Sequence, residues 1–373
     1  MEKNTGRYLR QMILKEVGMK GQEKISKAKI LIVGMGGLGC PAAIYLAAAG
    51  VGTIAIIDDD VVDETNLQRQ PLYHSSDIGK PKVSIAKKKL EALNPDISIT
   101  TYHSKLTSSN ALAIMRKYDL IIDGTDNLPS KYLINDACVL EKKPFIYGSV
   151  FQFQGQLSVF NYNNGPCYRC AFPNPPQAGT IPNCAEAGVL GVLPGIIGTL
   201  QATEALKLIL GVGSILSGKL MIFNSLSTKF EELMVTKNQK CHSCGANPRI
   251  TKLLDYEALC EDSQATDITA NELNYLISNK SKIMLFDIRE HHEQDLGILK
   301  GATCLSYTQL ANGNLSFLDK IPKHDHIILY CRSGNRSGYI ANILRKKGFT
   351  SVKNLAGGLL AWKKDIDKSF MVF

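Results

Sequence analysis

Long apolar runs are missing from this sequence. Apolar runs such as residues 30–33 and 189–193 fall far short of the roughly 18–20 residues that span a bilayer. The first residues, MEKNTGRYLRQ, have neither the apolar core of a signal peptide nor the amphipathic, acid-free character of a transit peptide. The default expectation is therefore a soluble cytoplasmic protein that has no membrane partner.

The chain also lacks a run of five or more like charges, an internal repeat and a low-complexity tract. Its net charge of +9 suits a partner or substrate with phosphate or carboxylate groups, but without a basic run no direct nucleic-acid binding is expected. Apolar residues make up 45% and charged residues 21%, an ordinary globular composition that argues against a disordered or collagen-like chain. At about 150 residues per domain, 373 residues predict two or three domains.

The first part of the chain alternates short β-branched runs with helical patterns, which predicts an α/β fold with a parallel sheet covered on both faces. Strands are expected at residues 30–33, 53–57, 97–101 and 120–122, and helices at residues 37–49 and 81–93. Farther along, the hydrophobic pattern changes: polar and apolar residues alternate with period two over residues 151–160, which predicts an antiparallel strand. A helix at residues 195–210 and strands at residues 219–223 and 230–235 follow, either extending the same sheet or forming a lobe upon it.

The last part of the chain repeats a compact α/β pattern. Thr269 and Glu272 form a capping-box pattern that opens a helix through residue 277. Strands are predicted at residues 283–287, 326–330 and 351–355, with a helix at residues 337–347. Because the residues just before this pattern are acidic and lack periodicity, we expect a first domain at residues 1–256, a linker at 257–267 and a second domain at 268–373.

A glycine-rich turn lies between the first predicted strand and the helix that follows it. It contains Gly34, Gly36, Gly37 and Gly39. Glycines let the backbone turn tightly and approach a phosphate, and the helix N-terminus favours an anion. Asp58 ends the second strand, where an acid accepts a ribose hydroxyl. The combination predicts a nucleotide site, and the alternative is a tight turn without a ligand.

The residues after Asp58 distinguish between nucleotide chemistries. An NAD-dependent oxidoreductase is the first hypothesis, but hydride transfer needs no polar cluster beside the adenosine, whereas a triphosphate does. That cluster comprises Asp60, Asn66, Arg69, Gln70 and Lys82. Asp126 and Asn127 follow another buried strand, and a carboxylate there suits Mg²⁺. The alternatives are a solvated surface for Arg69 and Lys82 and a strand-end cap for Asp126.

Five collinear signatures in residues 7–256 resemble the ThiF/MoeB family, the bacterial relatives of ubiquitin-activating enzymes. They are RYLRQ at residues 7–11, the glycine loop, NLQRQ at 66–70, GKPKV at 79–83 and DGTDN at 123–127. The resemblance implies a Rossmann-like domain with a mixed sheet and a zinc lobe. It also implies an enzyme that uses ATP and Mg²⁺ to adenylate the C-terminal glycine of a ubiquitin-like sulfur carrier.

Site roles carried over from that family remain expectations. Asp58 would hold the ribose, Arg69 and Lys82 the phosphates, and Asp126 the magnesium ion. Arg10 would reach the triphosphate of the neighbouring subunit, which implies a homodimer. Because the attacking carboxylate is already ionised, the reaction needs no side-chain general base, and catalysis consists of positioning and charge neutralisation.

Two CxxC pairs among the ten cysteines provide four thiolates suited to a closed tetrahedral zinc site. They are Cys167 with Cys170 and Cys241 with Cys244. A lone CxxC is also compatible with redox chemistry, but two pairs in one cytosolic chain favour structural zinc. Cys184 matches a cysteine that activating enzymes of this type carry on a crossover loop, where it would bond covalently to the carrier; the alternative is a buried thiol.

Cys331 begins a loop that leads into a helix. The loop comprises Cys331, Arg332, Ser333, Gly334, Asn335 and Arg336. Backbone N–H groups, the helix N-terminus and an arginine are expected to lower the pKa of Cys331 and favour a thiolate or persulfide. Four residues separate Cys331 from Arg336, not the five of CxxxxxR phosphatases. This loop and the DIRE segment resemble a rhodanese sulfurtransferase, although Gln294 replaces an aromatic residue and Ile298 a histidine.

Together the two domains predict adenylation of a MoaD-like or ThiS-like carrier and sulfur transfer from a Cys331 persulfide, giving a thiocarboxylate for molybdopterin or thiamine thiazole synthesis. The expected sulfur donor is a cysteine desulfurase or thiosulfate. Two alternatives stay open: an NAD-dependent, zinc-containing oxidoreductase and a non-catalytic carrier-binding scaffold. The first has no candidate hydride-transfer acid or base in the sequence, and the second would be expected to lack Arg10, Lys82, Asp126 or Cys331.

Overall fold

The computed structural model describes residues 5–173, 188–254, 256, 267–311 and 313–372. These residues form two compact units, and the division falls between residues 256 and 267. Cys184 and residues 257–266 of the expected linker lie outside the described residues. Asp267, expected to end the linker, instead begins the first strand of the second unit.

The first unit has eight helices and eight strands among its described residues. They are α1 (Thr5–Met12), α2 (Gly18–Lys27), β1 (Lys29–Val33), α3 (Gly39–Ala49), β2 (Thr53–Ile57), α4 (Lys82–Leu93), β3 (Ser98–Tyr102), α5 (Ala111–Met115), β4 (Leu120–Asp123), α6 (Leu128–Leu140), β5 (Phe145–Phe151), β6 (Gln154–Phe160), α7 (Tyr168–Ala171), α8 (Val192–Leu210), β7 (Lys219–Asn224) and β8 (Lys229–Met234). Short 3-10 turns lie at Glu64–Asn66 and Ser75–Asp77.

All eight strands of this unit join one mixed sheet in the order β3-β2-β1-β4-β5-β6-β7-β8. Strands β1 to β5 pair in parallel, and β5 to β8 pair antiparallel. The α/β prediction is therefore confirmed, and the two late strands extend the sheet and do not form a separate lobe. The parallel strands end at the same edge, which brings the loops after β1, β2 and β4 together.

Successive residues of β1 point into two different apolar clusters. Ile30 and Ile32 belong to the cluster that includes α3, α4 and α8, whereas Leu31 and Val33 belong to the cluster that includes α5 and α6. Because side chains alternate across a strand, a fully apolar strand must be covered on both faces. This explains why the strand lacks the polar alternation of a half-exposed sheet.

Helix α8 is long and apolar enough to pass a length and composition test for a membrane-spanning segment. It packs against α3, β5 and β6, and Leu193, Ile197 and Ala205 on it are fully buried. A core helix in contact with other elements on several sides is expected to be apolar around much of its circumference. Packing within the first unit thus accounts for its composition.

One strand prediction was wrong. Residues 151–160 form not a single strand but the end of β5, a tight turn and β6. Gln152 adopts φ +51° at the turn, and β6 folds back so that Phe151 pairs with Gln154. The alternation of Gln152, Gln154 and Gln156 continues through the turn. A sequence pattern of period two therefore gives no sign that the chain reverses here.

The second unit is a five-stranded parallel sheet in the order β11-β10-β12-β13-β9. Its elements are β9 (Asp267–Ile268), α9 (Ala270–Ser278), β10 (Met284–Asp287), α10 (His291–Gln294), β11 (Thr303–Cys304), α11 (Tyr307–Ala311), a 3-10 turn at Ser316–Lys320, β12 (Ile327–Tyr330), α12 (Asn335–Lys346), β13 (Val352–Leu355) and α13 (Gly358–Asp365). The capping box that opens α9 is confirmed: Thr269 Oγ1 accepts from Glu272 N, and Glu272 Oε2 accepts from Thr269 N.

Candidate nucleotide, zinc and sulfur sites

The glycine loop after β1 lies against the loop after β4 with no room for side chains. Gly34 has φ +87°, and a Cβ there would lie 2.8 Å from the carbonyl oxygen of Gly124. A Cβ at Gly39 would lie 2.0 Å from the carbonyl oxygen of Gly34. Only glycine satisfies both positions, so the backbone stays exposed for the close approach of a phosphate.

An acidic residue at the end of β2 anchors this glycine loop. Asp58 Oδ2 accepts a hydrogen bond from the backbone N–H of Met35 at 2.6 Å, and Oδ1 accepts one from Asp60 N at 2.8 Å. Burial raises the pKa of Asp58, although the Lys82 charge opposes that change. Lys82 is itself buried and donates from Nζ to Asp60 Oδ2 at 2.7 Å. The predicted ribose acid and phosphate lysine therefore lie in one connected cluster.

Two further residues of the predicted cluster lie over the glycine loop. A Cβ at Gly37 would lie 3.5 Å from Arg69 Cγ, and one at Gly36 would lie 3.6 Å from Gln70 Nε2. Gln70 is buried, and its Oε1 has no hydrogen-bond partner in the described structure. A buried acceptor without a partner is costly, so a bound donor would stabilise it. Asn66 accepts from Asp63 N and stabilises its own 3-10 turn.

Asp126 and Asn127 lie in the loop between β4 and α6. Asn127 caps α6, since its Oδ1 accepts from Ser130 N at 3.0 Å. The Asp126 carboxylate is exposed and has neither a hydrogen bond nor an ion pair within the described part of the chain. It fits a hard cation, which prefers exposed carboxylate oxygens. The carboxylates of Asp58, Asp59 and Asp60 also cluster, but two of these three residues are already bonded to other groups.

Arg10 is not brought to this loop. It is exposed on α1, and it has neither a hydrogen bond nor an ion pair among the described residues. Neighbouring residues attach α1 to the end of α4: Arg7 Nη1 donates to Leu93 O at 2.9 Å, and Tyr8 Oη accepts from Asn94 Nδ2 at 2.8 Å. An exposed arginine at this position is compatible with a role toward another subunit, which stays a prediction.

The four predicted zinc ligands converge. Their sulfur atoms all lie within 4.8 Å of one another, with Sγ–Sγ distances of 4.0 Å for Cys167 and Cys170, 3.6 Å for Cys167 and Cys241, and 3.4 Å for Cys170 and Cys244. A tetrahedral zinc thiolate site, with Zn–S near 2.3 Å, has S–S edges of about 3.8 Å. The donor set therefore fits a structural zinc ion.

A buried acid on α6 holds both cysteine pairs to this helix. Asp136 accepts from Arg169 Nε at 2.8 Å and Nη2 at 2.7 Å. It also accepts from Ser243 Oγ at 2.9 Å and from Tyr256 Oη at 2.6 Å. Arg169 lies inside the first CxxC segment and Ser243 inside the second, so the Asp136 carboxylate orients both segments.

The Cys331 loop turns from β12 into α12. Cys331 is fully buried, and its Sγ accepts from Gly334 N at 3.2 Å and from Ser337 Oγ at 3.3 Å. These contacts confirm that a backbone N–H faces the sulfur at the start of a helix. Arg332 and Ser333 are half-buried, and Asn335 is exposed.

Arg336 forms a buried ion pair with a residue outside the loop. Its Nη1 and Nη2 each donate at 2.7 Å to one oxygen of Glu293 on α10. Arg336 therefore ties the first turn of α12 to α10, and this partner was not foreseen from the sequence.

The two departures from the rhodanese pattern have different surroundings. Gln294 is buried, and its Nε2 lies 2.7–3.1 Å from the carbonyl oxygens of Asp287, Arg289 and Leu305. A polar amide thus takes the place of an aromatic ring by bonding to the backbone around it. Ile298 is 40% exposed, so its substitution for histidine leaves no buried polar group without a partner.

Two further cysteines, Cys40 and Cys138, have no motif around them and behave as small apolar residues. Cys40 and Cys138 are fully buried in α3 and α6. Burial raises the pKa of Cys40 to about 12, and it raises the pKa of Cys138 as well. Both thiols are therefore neutral at physiological pH, as expected for packing residues.

Sequence reasoning missed the buried charged partners of these sites. They are Asp123, Lys131, Asp136, Arg169 and Glu293. The usable signal was weak: Asp136 lies in the run LINDACVL, where Asn135 is the other polar residue, and Arg169 lies between Cys167 and Cys170. For Lys131 and Glu293 the local pattern is that of a solvated residue.

The clustered thiols predict about one zinc ion per purified chain. Cys241→Ser removes a buried ligand, so the zinc content and the melting temperature should both fall. Elemental analysis and a thermal melt measure the two effects. Cys304→Ser, which changes an exposed cysteine outside the cluster, is the matched control. A fully folded wild-type protein without zinc would contradict the assignment.

The buried pair between Arg336 and Glu293 predicts a pH-dependent stability of the second unit. Glu293→Gln leaves the arginine charge uncompensated and should cost about 3–5 kcal/mol of unfolding free energy at neutral pH. Burial raises the pKa of Glu293, but its bonds with Arg336 outweigh that and lower it. The pair's contribution is therefore complete above about pH 4.3 and is lost as the pH falls through the lowered value.

The measurement uses urea unfolding followed by fluorescence of Trp362, the one tryptophan of the chain, which is buried in this unit. Glu272→Gln is the control, since glutamine also serves at the third position of a capping box. Equal stability of wild type and Glu293→Gln at pH 7 would show that the pair does not stabilise the unit.

Family models match both units. A ThiF family model matches residues 8–244, and a rhodanese-like domain model matches residues 269–365. The chain is 41% identical over 390 residues to "Adenylyltransferase and sulfurtransferase MOCS3" of Culex quinquefasciatus, covering 98% of this chain and 89% of that protein. It is 37% identical over 382 residues to "Probable adenylyltransferase/sulfurtransferase MoeZ" of Mycobacterium tuberculosis, covering 99% and 95%.

A shorter relative matches the first unit. "Sulfur carrier protein adenylyltransferase" of Thermus thermophilus is 49% identical over 259 residues, covering 68% of this chain and 96% of that protein. Among solved structures, E. coli MccB with ATP has a TM-score of 0.57 at 22% identity, covering 65% of this chain and 75% of that chain. That structural likeness concerns the fold alone.

This chain contains the glycine loop with Asp58 and Lys82, the four clustered thiols and the Cys331 loop. It aligns along almost its whole length with relatives that are named adenylyltransferase and sulfurtransferase. The chain belongs to the ThiF family and carries a C-terminal rhodanese-like domain.

Proposed function

We propose that this chain adenylates the C-terminal glycine of a ubiquitin-like sulfur carrier and then transfers sulfur to it. The carrying observation is that a strand-end nucleotide site and a loop-held cysteine occur in one chain whose relatives, aligned over 98% of it, are named adenylyltransferase and sulfurtransferase. Each activity has its own unit, so each can be tested separately.

The first step makes a carboxylate reactive. An oxygen of the carrier's terminal carboxylate attacks the α-phosphorus of ATP, and the bond from that phosphorus to pyrophosphate breaks. The products are an acyl-adenylate and pyrophosphate. Since the attacking carboxylate is already ionised, the protein has to position the two reactants and neutralise phosphate charge.

Residues of the first unit divide these tasks. Asp58, which already orders the glycine loop, holds the ribose, while Arg69 and buried Lys82 neutralise phosphate charge. Asp126 holds Mg²⁺, which when bound neutralises charge on the phosphate oxygens. Arg10 contributes from the neighbouring subunit of a homodimer. Support for that last role is its exposure on α1 and its lack of a bond within the described residues.

An exposed apolar surface beside the nucleotide site suits the body of the carrier. It comprises Phe151, Phe153, Leu190, Val192 and Leu226, each between 38% and 74% exposed. Backbone bonds make it continuous: Leu190 N donates to Gln152 O, and Ser225 N donates to Phe153 O. Phe151 ends β5 at the sheet edge where the glycine loop lies, and a Cβ at Gly191 would lie 2.4 Å from Gln68 O. A carrier seated here extends its tail toward that loop.

The second step delivers sulfur. The outer sulfur of a persulfide on Cys331 attacks the acyl carbon and AMP leaves, which forms an acyl disulfide between carrier and Cys331. A thiolate then attacks the Cys331 sulfur, releases the carrier thiocarboxylate and leaves a disulfide that a cellular dithiol must reduce. We assign that thiolate to Cys184, which lies outside the described residues.

Other parts of this proposal concern the cellular setting. The product serves molybdopterin or thiamine thiazole synthesis, the sulfur comes from a cysteine desulfurase or thiosulfate, and the enzyme is cytoplasmic. The support for the carrier is the relative named sulfur carrier protein adenylyltransferase. An NAD-dependent oxidoreductase is disfavoured because Lys82 and Arg69 gather cations beside the glycine loop, as a triphosphate requires and hydride transfer does not, and a non-catalytic scaffold has no use for the buried Cys331 loop.

Carrier-dependent exchange between ATP and labelled pyrophosphate tests the first step. The wild type should exchange label only with a MoaD-like or ThiS-like carrier that ends in glycine. Asp126→Asn should lower the exchange rate by at least the roughly 10- to 100-fold that loss of an outer-shell partner of a metal ligand costs, since it changes the ligand itself. Lys117→Met, which changes an exposed lysine on the same unit, is the matched control. No exchange with any such carrier would sink the activating function.

Cys331→Ala separates the two activities. The variant should lose thiosulfate–cyanide sulfur transfer completely, because it has no sulfur on which to form the persulfide. Its carrier-dependent exchange should stay at the wild-type rate, since the nucleotide site belongs to the other unit. Cys304→Ser serves as the control for removing a thiol from the same unit. Retained sulfur transfer in Cys331→Ala would rule out Cys331 as the carrier of the persulfide.

A further inference from the structure

A lysine ammonium group is buried beneath the loop that carries Asp126. Lys131 is 3% exposed, and its Nζ donates to Asp123 Oδ2 at 2.7 Å, to Thr125 O at 3.0 Å and to Gly148 O at 2.8 Å. An ammonium has three donors, and each has an acceptor here. The group is therefore fully bonded inside the protein and has no donor left for a ligand.

These bonds determine the shape of the loop between β4 and α6. Asp123 Oδ1 accepts from Thr125 N at 2.9 Å and from Thr125 Oγ1 at 2.6 Å, while Lys131 binds the carbonyl oxygen of the same threonine. Thr125 is thus held at its N–H, its hydroxyl and its carbonyl. Asp126 follows directly, so the direction in which its carboxylate leaves the backbone depends on this arrangement.

The same loop is joined to the glycine loop and to the neighbouring strand. Gly124 N donates to Val33 O at 2.7 Å, immediately before Gly34. Gln201 Nε2 donates to Asp123 O at 2.7 Å and to Ile146 O at 3.2 Å. Lys131 adds a bond to Gly148 on β5. Bonds to β1, β5 and α8 therefore set the distance between the phosphate loop and the loop of Asp126.

We propose that Lys131 is a positioning residue for the adenylation reaction: it holds the loop from Asp123 to Asn127 so that the Asp126 carboxylate meets the magnesium ion on the ATP phosphates. The inference rests on the proposed function, in which Asp126 binds that ion. Lys131 touches neither ATP nor metal. Outer-shell partners that orient a metal ligand change metal affinity by about 10- to 100-fold when they are removed.

The test compares the affinity of each protein for ATP in magnesium-free buffer with its affinity for MgATP, by calorimetry and without a carrier. Lys131→Met alone would leave the Asp123 carboxylate buried without a counter-charge, so it is combined with Asp123→Asn. We call the ratio of the affinity for MgATP to the affinity for metal-free ATP the magnesium gain. The double variant should keep its affinity for metal-free ATP, and its magnesium gain should be about 10- to 100-fold smaller than that of the wild type. A protein whose fold is merely loosened loses both affinities together.

Three further variants complete the design. Lys131→Arg keeps a buried cation beside Asp123 and should restore most of the magnesium gain. Lys131→Gln with Asp123→Asn also removes the ammonium but keeps a polar side chain, so it should lower the gain several-fold, and it tests the proposal if the first double variant does not fold. Lys117→Met is the matched exposed control. Thiosulfate–cyanide activity, which belongs to the other unit, monitors the integrity of each chain.

The outcomes separate the inference from the function beneath it. A wild-type protein without carrier-dependent exchange refutes the proposed function. Intact exchange with an unchanged magnesium gain in the folded double variant, or in Lys131→Gln with Asp123→Asn if the first double variant is unfolded, overturns the role of Lys131 alone. A wild type that binds ATP and MgATP equally well overturns it too, because no magnesium contact then needs positioning.

Discussion

Buried charges must be neutralised where they lie, and this constraint organises the first unit around helix α6. Lys131, near its start, pairs with Asp123, and the two side chains are 4% and 0% exposed. Asp136, in its second half, pairs with Arg169, and those side chains are 0% and 7% exposed. Because an unpaired buried charge is strongly destabilising, each pair permits one arrangement of the segment it binds. The loop of Asp126 and the two CxxC segments are thereby attached to the same helix.

Buried charges are also neutralised by ion pairs in the second unit. Arg289 is 1% exposed and bonds to both oxygens of Asp287, while Arg336 bonds to both oxygens of Glu293. The first pair holds the segment after β10 against the end of that strand, and the second ties α10 to the helix that starts at the Cys331 loop. A sulfur that must be surrounded by N–H groups depends on such supports, since the loop itself contributes few side chains to the core.

Much of the fold could be predicted from the sequence, because local patterns determine it. The apolar strand β1, the glycines after it and Asp58 after β2 each carry a signal at short range, and the structure joins them through the bond from Met35 N to Asp58. The cysteine pairs carry a signal that needs no knowledge of the chain between them. The turn at Gln152 was missed because alternating polarity runs through it.

What could not be predicted depends on contacts between distant residues. Lys131, four residues into a helix, has the local pattern of a solvated lysine, and only the carboxylate of Asp123 and the carbonyls of Thr125 and Gly148 make its burial possible. Glu293 likewise looks like a surface residue until Arg336, 43 residues later, reaches it. The predicted binding residues carry a local signal in glycines, acids and cations, whereas the charged residues that hold them in place carry none.

The proposal that the two units act in one reaction sequence is tested most directly by measuring the mass of the carrier. A glycine-ending MoaD-like carrier would be incubated with the full chain, ATP, magnesium, thiosulfate and a dithiol, and its mass measured. The expected product is a carrier in which one oxygen of the terminal carboxylate is replaced by sulfur, formed by wild type but not by Cys331→Ala. A carrier that is adenylated by the wild type yet never gains sulfur would contradict the claim that the two units perform one reaction sequence.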